Sequence, residues 1–153
     1  MISVRHLLYG ACLLAALPSV TVQAAAPSDE RGANAMEIVF TVDDQSITAS
    51  IDDTAAGRAF VDMLPLELEL TDYGNGTEKV ADLPGSLPGD DAPAGYQPGV
   101  GDITLFAPWG NLAIFRKDFG YARGLVKLGR FTASFDAIDR DGPVPVRISR
   151  ASP

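Results

Sequence analysis

The sequence has one cysteine and one histidine, and both stand near its start, at Cys12 and His6. From residue 25 onward there is neither. That part of the chain therefore cannot build a disulfide, a cysteine nucleophile, a Ser-His-Asp triad or a His/Cys metal site. Cations are also scarce: 12 Lys and Arg stand against 20 Asp and Glu, a formal net charge of −8. Phosphate binding needs a cationic face, so nucleic acid is excluded as a partner. The same sign disfavours anionic membranes. Only one long apolar run occurs, Leu7 to Leu17. It falls short of the roughly twenty residues that a bilayer span needs.

What is present is ordinary for a folded domain. The chain has 153 residues, of which 46% are apolar and 21% charged. That suits one globular domain and neither a disordered nor a fibrous chain. Residues 1–24 have the pattern of a cleaved signal peptide. Arg5 and His6 give a cationic start, the apolar run follows, Pro18 breaks it, and Val22-Gln23-Ala24 places small residues at the cleavage positions. Cys12 lies inside the apolar run with too little apolar chain before it for a lipid anchor. Cleavage after Ala24 would leave 129 residues, that is 153 less 24, and a charge of −9, because Arg5 leaves and no acid does. The expected location is secreted or periplasmic, with no stable membrane insertion after cleavage. Residues 25–35 are small and polar and read as a flexible leader.

The domain proper is expected over 36–150. Residues 37–44 alternate as a strand, with Ile38, Phe40 and Val42 on one face, and Ile47, Ala49 and Ile51 alternate in the next. Asp52-Asp53-Thr54 offers N-cap oxygens for a helix carrying Ala56, Phe60 and Met63 or Leu64 on one face, which Pro65 stops. Leu66, Leu68 and Leu70 alternate with Glu67, Glu69 and Thr71, a strand with a wet outer face. Residues 84–101 hold four prolines and five glycines, too many for a regular element, and read as a long loop. A second hairpin follows over 103–115, turning at Pro108-Trp109-Gly110-Asn111. Strands are expected at 126–131 and 144–148, with a short helix of one turn or two at 133–138 that turns Phe135 and Ile138 inward. Seven or eight short strands and two short helices suggest a mainly β fold, a closed antiparallel barrel.

This order of elements carries a resemblance. Leu125-Val126-Lys127-Leu128-Gly129-Arg130-Phe131 is similar to the cyclophilin segment His-Val-Val-Phe-Gly-Lys-Val, and Phe135-Asp136-Ala137-Ile138 suits the short helix that follows it there. Residues 36–150 resemble the small bacterial cyclophilin-like proteins through Asp72-Tyr73-Gly74-Asn75, Leu83-Pro84, Tyr96-x-Pro98-Gly99-x-Gly101-Asp102-Ile103, Leu112-Ala113-Ile114-Phe115 and Gly124-Leu125-Val126. The resemblance implies an eight-stranded barrel capped by two helices. Cyclophilins proper catalyse prolyl cis/trans isomerisation, against an uncatalysed barrier of about 18–20 kcal/mol. Their arginine sits in a Phe-His-Arg-x-Ile strand after the first helix. Here that strand is Leu66 to Thr71 and holds no arginine. The family's pocket histidine falls near Leu125, and its Gln-Gly-Gly run is missing. The expectation is a binding domain without efficient isomerase activity. The alternatives are a divergent isomerase using Arg116 or Arg123, and a non-catalytic module acting with a protein partner.

Trp109 lies near Phe106, Phe115, Phe119 and Tyr121 in sequence. These aromatics form either a groove for a peptide or small ligand, or a small core cluster under the long loop. In the first case the ligand contacts are Tyr96, Phe106, Trp109, Phe115 and Arg116, with residues 84–101 as an adjustable wall. Arg116 and Arg123 either meet a ligand carbonyl or carboxylate, or sit at the rim beside an acid such as Asp118. Asp43-Asp44, Asp52-Asp53, Asp90-Asp91 and Asp139-x-Asp141 lack the spacing of a calcium loop, and turn and cap chemistry accounts for them. Asn75-Gly76 is a turn signal. No cofactor or metal is expected.

Overall fold

Two aspartates make the first turn. Strands β1 (Met36–Val42) and β2 (Gln45–Ile51) pair in register from Met36↔Ile51 to Val42↔Gln45, and Asp43 turns the chain at φ 49°. The structure, a computed structural model, describes residues 34–152. The signal segment and nearly all of the leader lie outside the described residues. Helix α1 (Ala55–Asp62) begins at Thr54, whose hydroxyl accepts the Gly57 N–H at 3.0 Å, and it ends ahead of Pro65. It buries Ala56, Phe60 and Val61 against the barrel.

The remaining strands are β3 (Leu66–Tyr73), β4 (Glu78–Asp82), β5 (Gly95–Tyr96), β6 (Asp102–Phe106), β7 (Asn111–Phe115), β8 (Ala122–Arg123), β9 (Leu125–Phe131) and β10 (Val144–Arg150). Eight of them close an antiparallel barrel in the order β1-β10-β3-β4-β7-β6-β9-β2, and β5 and β8 form a separate ribbon. The expected mainly β barrel is thus the fold. The interior holds the alternate residues of each strand, including Ile38, Phe40, Ile51, Leu70, Leu105 and Ile148. Of the leucines of β3, Leu68 is only half-buried. Gly129 is required where β9 meets β2, because a Cβ there would run into the Ser50 carbonyl.

Three expectations need correction. Among the described residues there is one α-helix, not two. At 133–138 the chain makes a single turn, in which the Ile138 and Asp139 N–H groups both bond to the Phe135 carbonyl. Strand β4 falls in a stretch not read as a strand. The long loop is not wholly irregular, since Gly95–Tyr96 pairs with Ala122–Arg123. Gly95 allows this by lacking a side chain, for its Cβ would lie 2.5 Å from the Ala122 carbonyl.

Candidate functional site

The outer wall of β3-β4-β7-β6 carries the exposed aromatics Tyr73 and, on its β6–β7 hairpin, Trp109. In β7, Leu112 and Ile114 face the main core, while Ala113 and Phe115 face outward into a second, smaller core. Leu125 joins them there, with Val80, Tyr96, Phe106 and Ala122 packed around the edge. Cross-strand register sets the rows of this outer face. One row runs Tyr73, Glu78, Phe115; the next runs Thr71, Val80, Ala113, Thr104; a third runs Asp82, Asn111, Phe106.

Trp109 stands at the tip of the β6–β7 hairpin. Its N–H and that of Gly110 both bond to the Phe106 carbonyl, and Gly110 takes φ 67°, which favours glycine. The indole meets Phe106 edge-on at 5.2 Å and Tyr73 edge-on at 5.7 Å. Phe106 and Tyr73 lie on β6 and β3, with β7 and β4 between them. The Trp109 ring therefore bridges Phe106 and Tyr73 into an aromatic strip, yet the residue is 63% exposed. The core-cluster alternative is corrected for this residue. Tyr73, Phe119 and Tyr121 are exposed as well.

The structure separates the other expected contacts. Phe106 touches the strip. Phe115 is only 1% exposed, in the second core, with the Phe119 ring 6.1 Å away. Tyr96 packs on that core, and its hydroxyl donates to Asp102 Oδ2 at 2.8 Å. Burial, then this bond to a carboxylate, pushes the Tyr96 hydroxyl up to about 12. Tyr96 also borders a cleft of about 810 Å³ between the start of α1, residues 88–93 and β9. The long loop is thus a wall, but of this cleft. Among its lining groups are Asp52, Asp53, Asp90 and Asp91.

Arg116 is held elsewhere. Its side chain is 11% exposed, and each guanidinium nitrogen meets a carboxylate: Nε with Asp139 at 2.6 Å, one terminal nitrogen with Asp72 at 3.0 Å, the other with Asp141 at 3.1 Å. The bond to Asp139, ahead of that to Asp141, holds its pKa above the usual arginine value. The expected acid neighbour, Asp118, instead accepts the Val100 N–H. Lys79 completes this plug at one end of the barrel. It is 0% exposed, its ammonium 2.7 Å from Asp72 Oδ1 and donating to the Gly142 carbonyl at 2.6 Å. The Asp72 carboxyl is lowered, first by the Lys79 hydrogen bond and then by the Gly142 N–H. Arg123, by contrast, is exposed and makes no ion pair among the described residues.

Sequence reasoning missed Tyr73, Glu78 and Asn111 as parts of the aromatic wall. Tyr73 had a signal, since the turn Asp72-Tyr73-Gly74-Asn75 must deliver it to a strand end. Glu78 had none. It stands opposite both Tyr73 and Phe115, where burial raises its carboxyl pKa.

No match occurs among curated proteins. A hypothetical protein of Archaeoglobus fulgidus, solved in solution, has the same fold: TM-score 0.60 at 17% identity, covering 81% of this chain and 100% of that one. No helix among the described residues is long and apolar enough to cross a membrane. The family model described as the Cyclophilin-like family matches residues 40–149, the span of the barrel just described, and the chain belongs to that family.

Proposed function

We propose that this cyclophilin-like domain binds an extended peptide or protein segment across its outer aromatic wall, without efficient prolyl isomerase activity. The observation that carries the reading is Trp109: a large ring, mostly in solvent, braced on two sides by aromatic edges and mounted on a rigid hairpin. Contiguous exposed apolar patches mark interaction sites, and aromatic anchors dominate binding surfaces. Against efficient isomerisation stand the lack of any arginine on β3, β4, β6 or β7 and the occupation of Arg116 by three aspartates.

A peptide array probed with the wild type and with Trp109→Ala tests the reading. Spots lost in the variant support it. An identical pattern from both proteins refutes it. We further infer export, with removal of residues 1–24, on the pattern at Arg5, Leu7 to Leu17 and Ala24. N-terminal sequencing of the protein recovered outside the cytoplasm should begin at Ala25; recovery only from the cytoplasm, starting at Met1, counts against it.

A further inference from the structure

The charges on the aromatic wall are all of one sign. The outward residues of β3, β4, β6 and β7 include Glu67, Glu69, Glu78, Asp82 and Asp102, and no lysine or arginine. The cations that these strands could have offered are turned inward. Lys79 is buried with Ala81 on the inner face of β4, and Arg116, one residue past β7, is spent in the plug. Two of the five acids have partners: Glu67 pairs with Arg147 at 3.4 Å, and Asp102 accepts from Tyr96 and the Gly99 N–H. Glu69, Glu78 and Asp82 have no ion pair among the described residues. The exposed cations that follow β7, Lys117 and Arg123, make none among the described residues either, so neither is paired with these acids.

A second, independent observation points the same way. Asn111 stands in the row between Asp82 and Phe106 and is 6% exposed. Its side-chain oxygen is buried and accepts no hydrogen bond among the described residues. Buried acceptors are nearly always satisfied, so this orphan on the outward side of β7 can take a donor from a ligand once the Asn111 side chain turns toward it. Glu78, half-buried beside Phe115 and raised by burial, lacks a cation in the same way.

Unpaired carboxylates, an orphan acceptor and an exposed indole together ask for a ligand that is positive, rich in N–H donors and flat. We infer that the wall recognises arginine side chains of an extended peptide, the guanidinium stacking on Trp109 and bonding to Glu78 or Asp82 and to Asn111. A guanidinium offers five donors in a plane and is less hydrated than an ammonium, so it suits this setting better than lysine does. Trp is also the strongest aromatic partner for a cation. Glu78 and Asp82 are four residues apart on β4, roughly 13 Å at about 3.3 Å per residue. An extended ligand strand matches that span with arginines four residues apart, one of them stacked on the indole.

This inference rests on the peptide reading above, and the test separates the two. Trp109 is the sole tryptophan, so its emission reports on the site directly. The probes are four capped heptapeptides, Ala-Arg-Ala-Leu-Ala-Arg-Ala and its versions with both arginines replaced by lysine, citrulline or glutamate. Calorimetry repeats each titration on Glu78→Gln, Asp82→Asn and Trp109→Ala. The expected order is arginine, then lysine, then citrulline, with the glutamate peptide weakest. The arginine peptide should bind about tenfold more tightly than citrulline, the size of a desolvated cation–aromatic contact. Glu78→Gln and Asp82→Asn should each weaken the arginine peptide several-fold and leave the citrulline peptide unchanged. Equal binding of the arginine and citrulline peptides overturns the inference but leaves the peptide reading standing, provided Trp109→Ala abolishes both. Equal binding of arginine and lysine overturns the guanidinium assignment. Absence of binding by all four, or binding untouched by Trp109→Ala, removes the peptide reading itself.

Discussion

Replacing Trp109 by alanine should separate surface from core by its cost in stability. Truncating a fully buried Phe or Trp costs about 3–5 kcal/mol. Trp109 is 63% exposed, so less than two fifths of that burial is at stake. Scaling gives roughly 1–2 kcal/mol, which includes the edge-on contacts to Phe106 and Tyr73. For a domain of this size 1 kcal/mol moves the melting midpoint by about 3–5 °C, so the drop should be roughly 3–10 °C. Phe60→Ala is the internal standard, because Phe60 is 0% exposed beneath α1. It should cost the full 3–5 kcal/mol or so. Thermal melts followed by far-ultraviolet circular dichroism compare the two without relying on the indole. A Trp109→Ala midpoint as low as that of Phe60→Ala would show that the ring is packing, and the binding wall would lose its anchor.

Four further outcomes are expected. Lys79→Ala should lower the urea midpoint, because it removes a fully buried side chain together with its bonds to Asp72 and the Gly142 carbonyl, and Lys79→Met should lower it less by keeping the packing. Asp72 has a folded-state pKa below its unfolded value, so its stabilisation is present above about pH 4 and is lost as pH falls through the folded value; the urea midpoint should decline on that acid limb, and Asp72→Asn should flatten the decline. Gly129→Ala should destabilise by at least about 3 kcal/mol or prevent folding, since the new methyl meets Ser50 backbone that cannot yield, and soluble yield after refolding reads this. In a protease-coupled prolyl tetrapeptide assay the wild type should match the uncatalysed rate; a clear enhancement that vanishes in Arg116→Ala or Arg123→Ala would establish the divergent isomerase instead.

The barrel was legible because its strands keep period two where one face is buried. Ile38, Phe40, Ile47, Ile51, Leu105, Ile114, Leu128, Val146 and Ile148 are all buried as the alternation requires. Strand β4 was not legible, because its inward residues are Lys79 and Ala81. A lysine at an inward position reads as surface until the acids that neutralise it are known, and Asp72 and the Gly142 carbonyl come from other parts of the chain. The turn at 133–138 has helical composition, but Gly142-Pro143 follow closely, and the chain must reach β10 without room for a second turn. The site was partly legible for the same kind of reason. Trp109 and Phe106 are hairpin neighbours, so local sequence joins them. Arg116 owes its fate to Asp139 and Asp141 more than twenty residues away, which no local pattern discloses.

The closure of the barrel has a consequence for its ends. β1 and β10 lie side by side, with Ile38 opposite Arg150, and the Ala151 N–H bonds to the Glu37 carbonyl. The chain therefore enters and leaves the domain at one point on its surface. A linker of a few residues should join Ala151 to Met36 without strain, and new ends could open at Asp90-Asp91, which are exposed and outside every strand. Such a rearranged chain would keep every barrel pairing while freeing the wall of the cleft. Equally, anything fused before Met36 and anything fused after Arg150 will emerge as neighbours. A fluorophore pair placed at those two points should stay close for as long as the first and last strands remain zipped, and part when they separate.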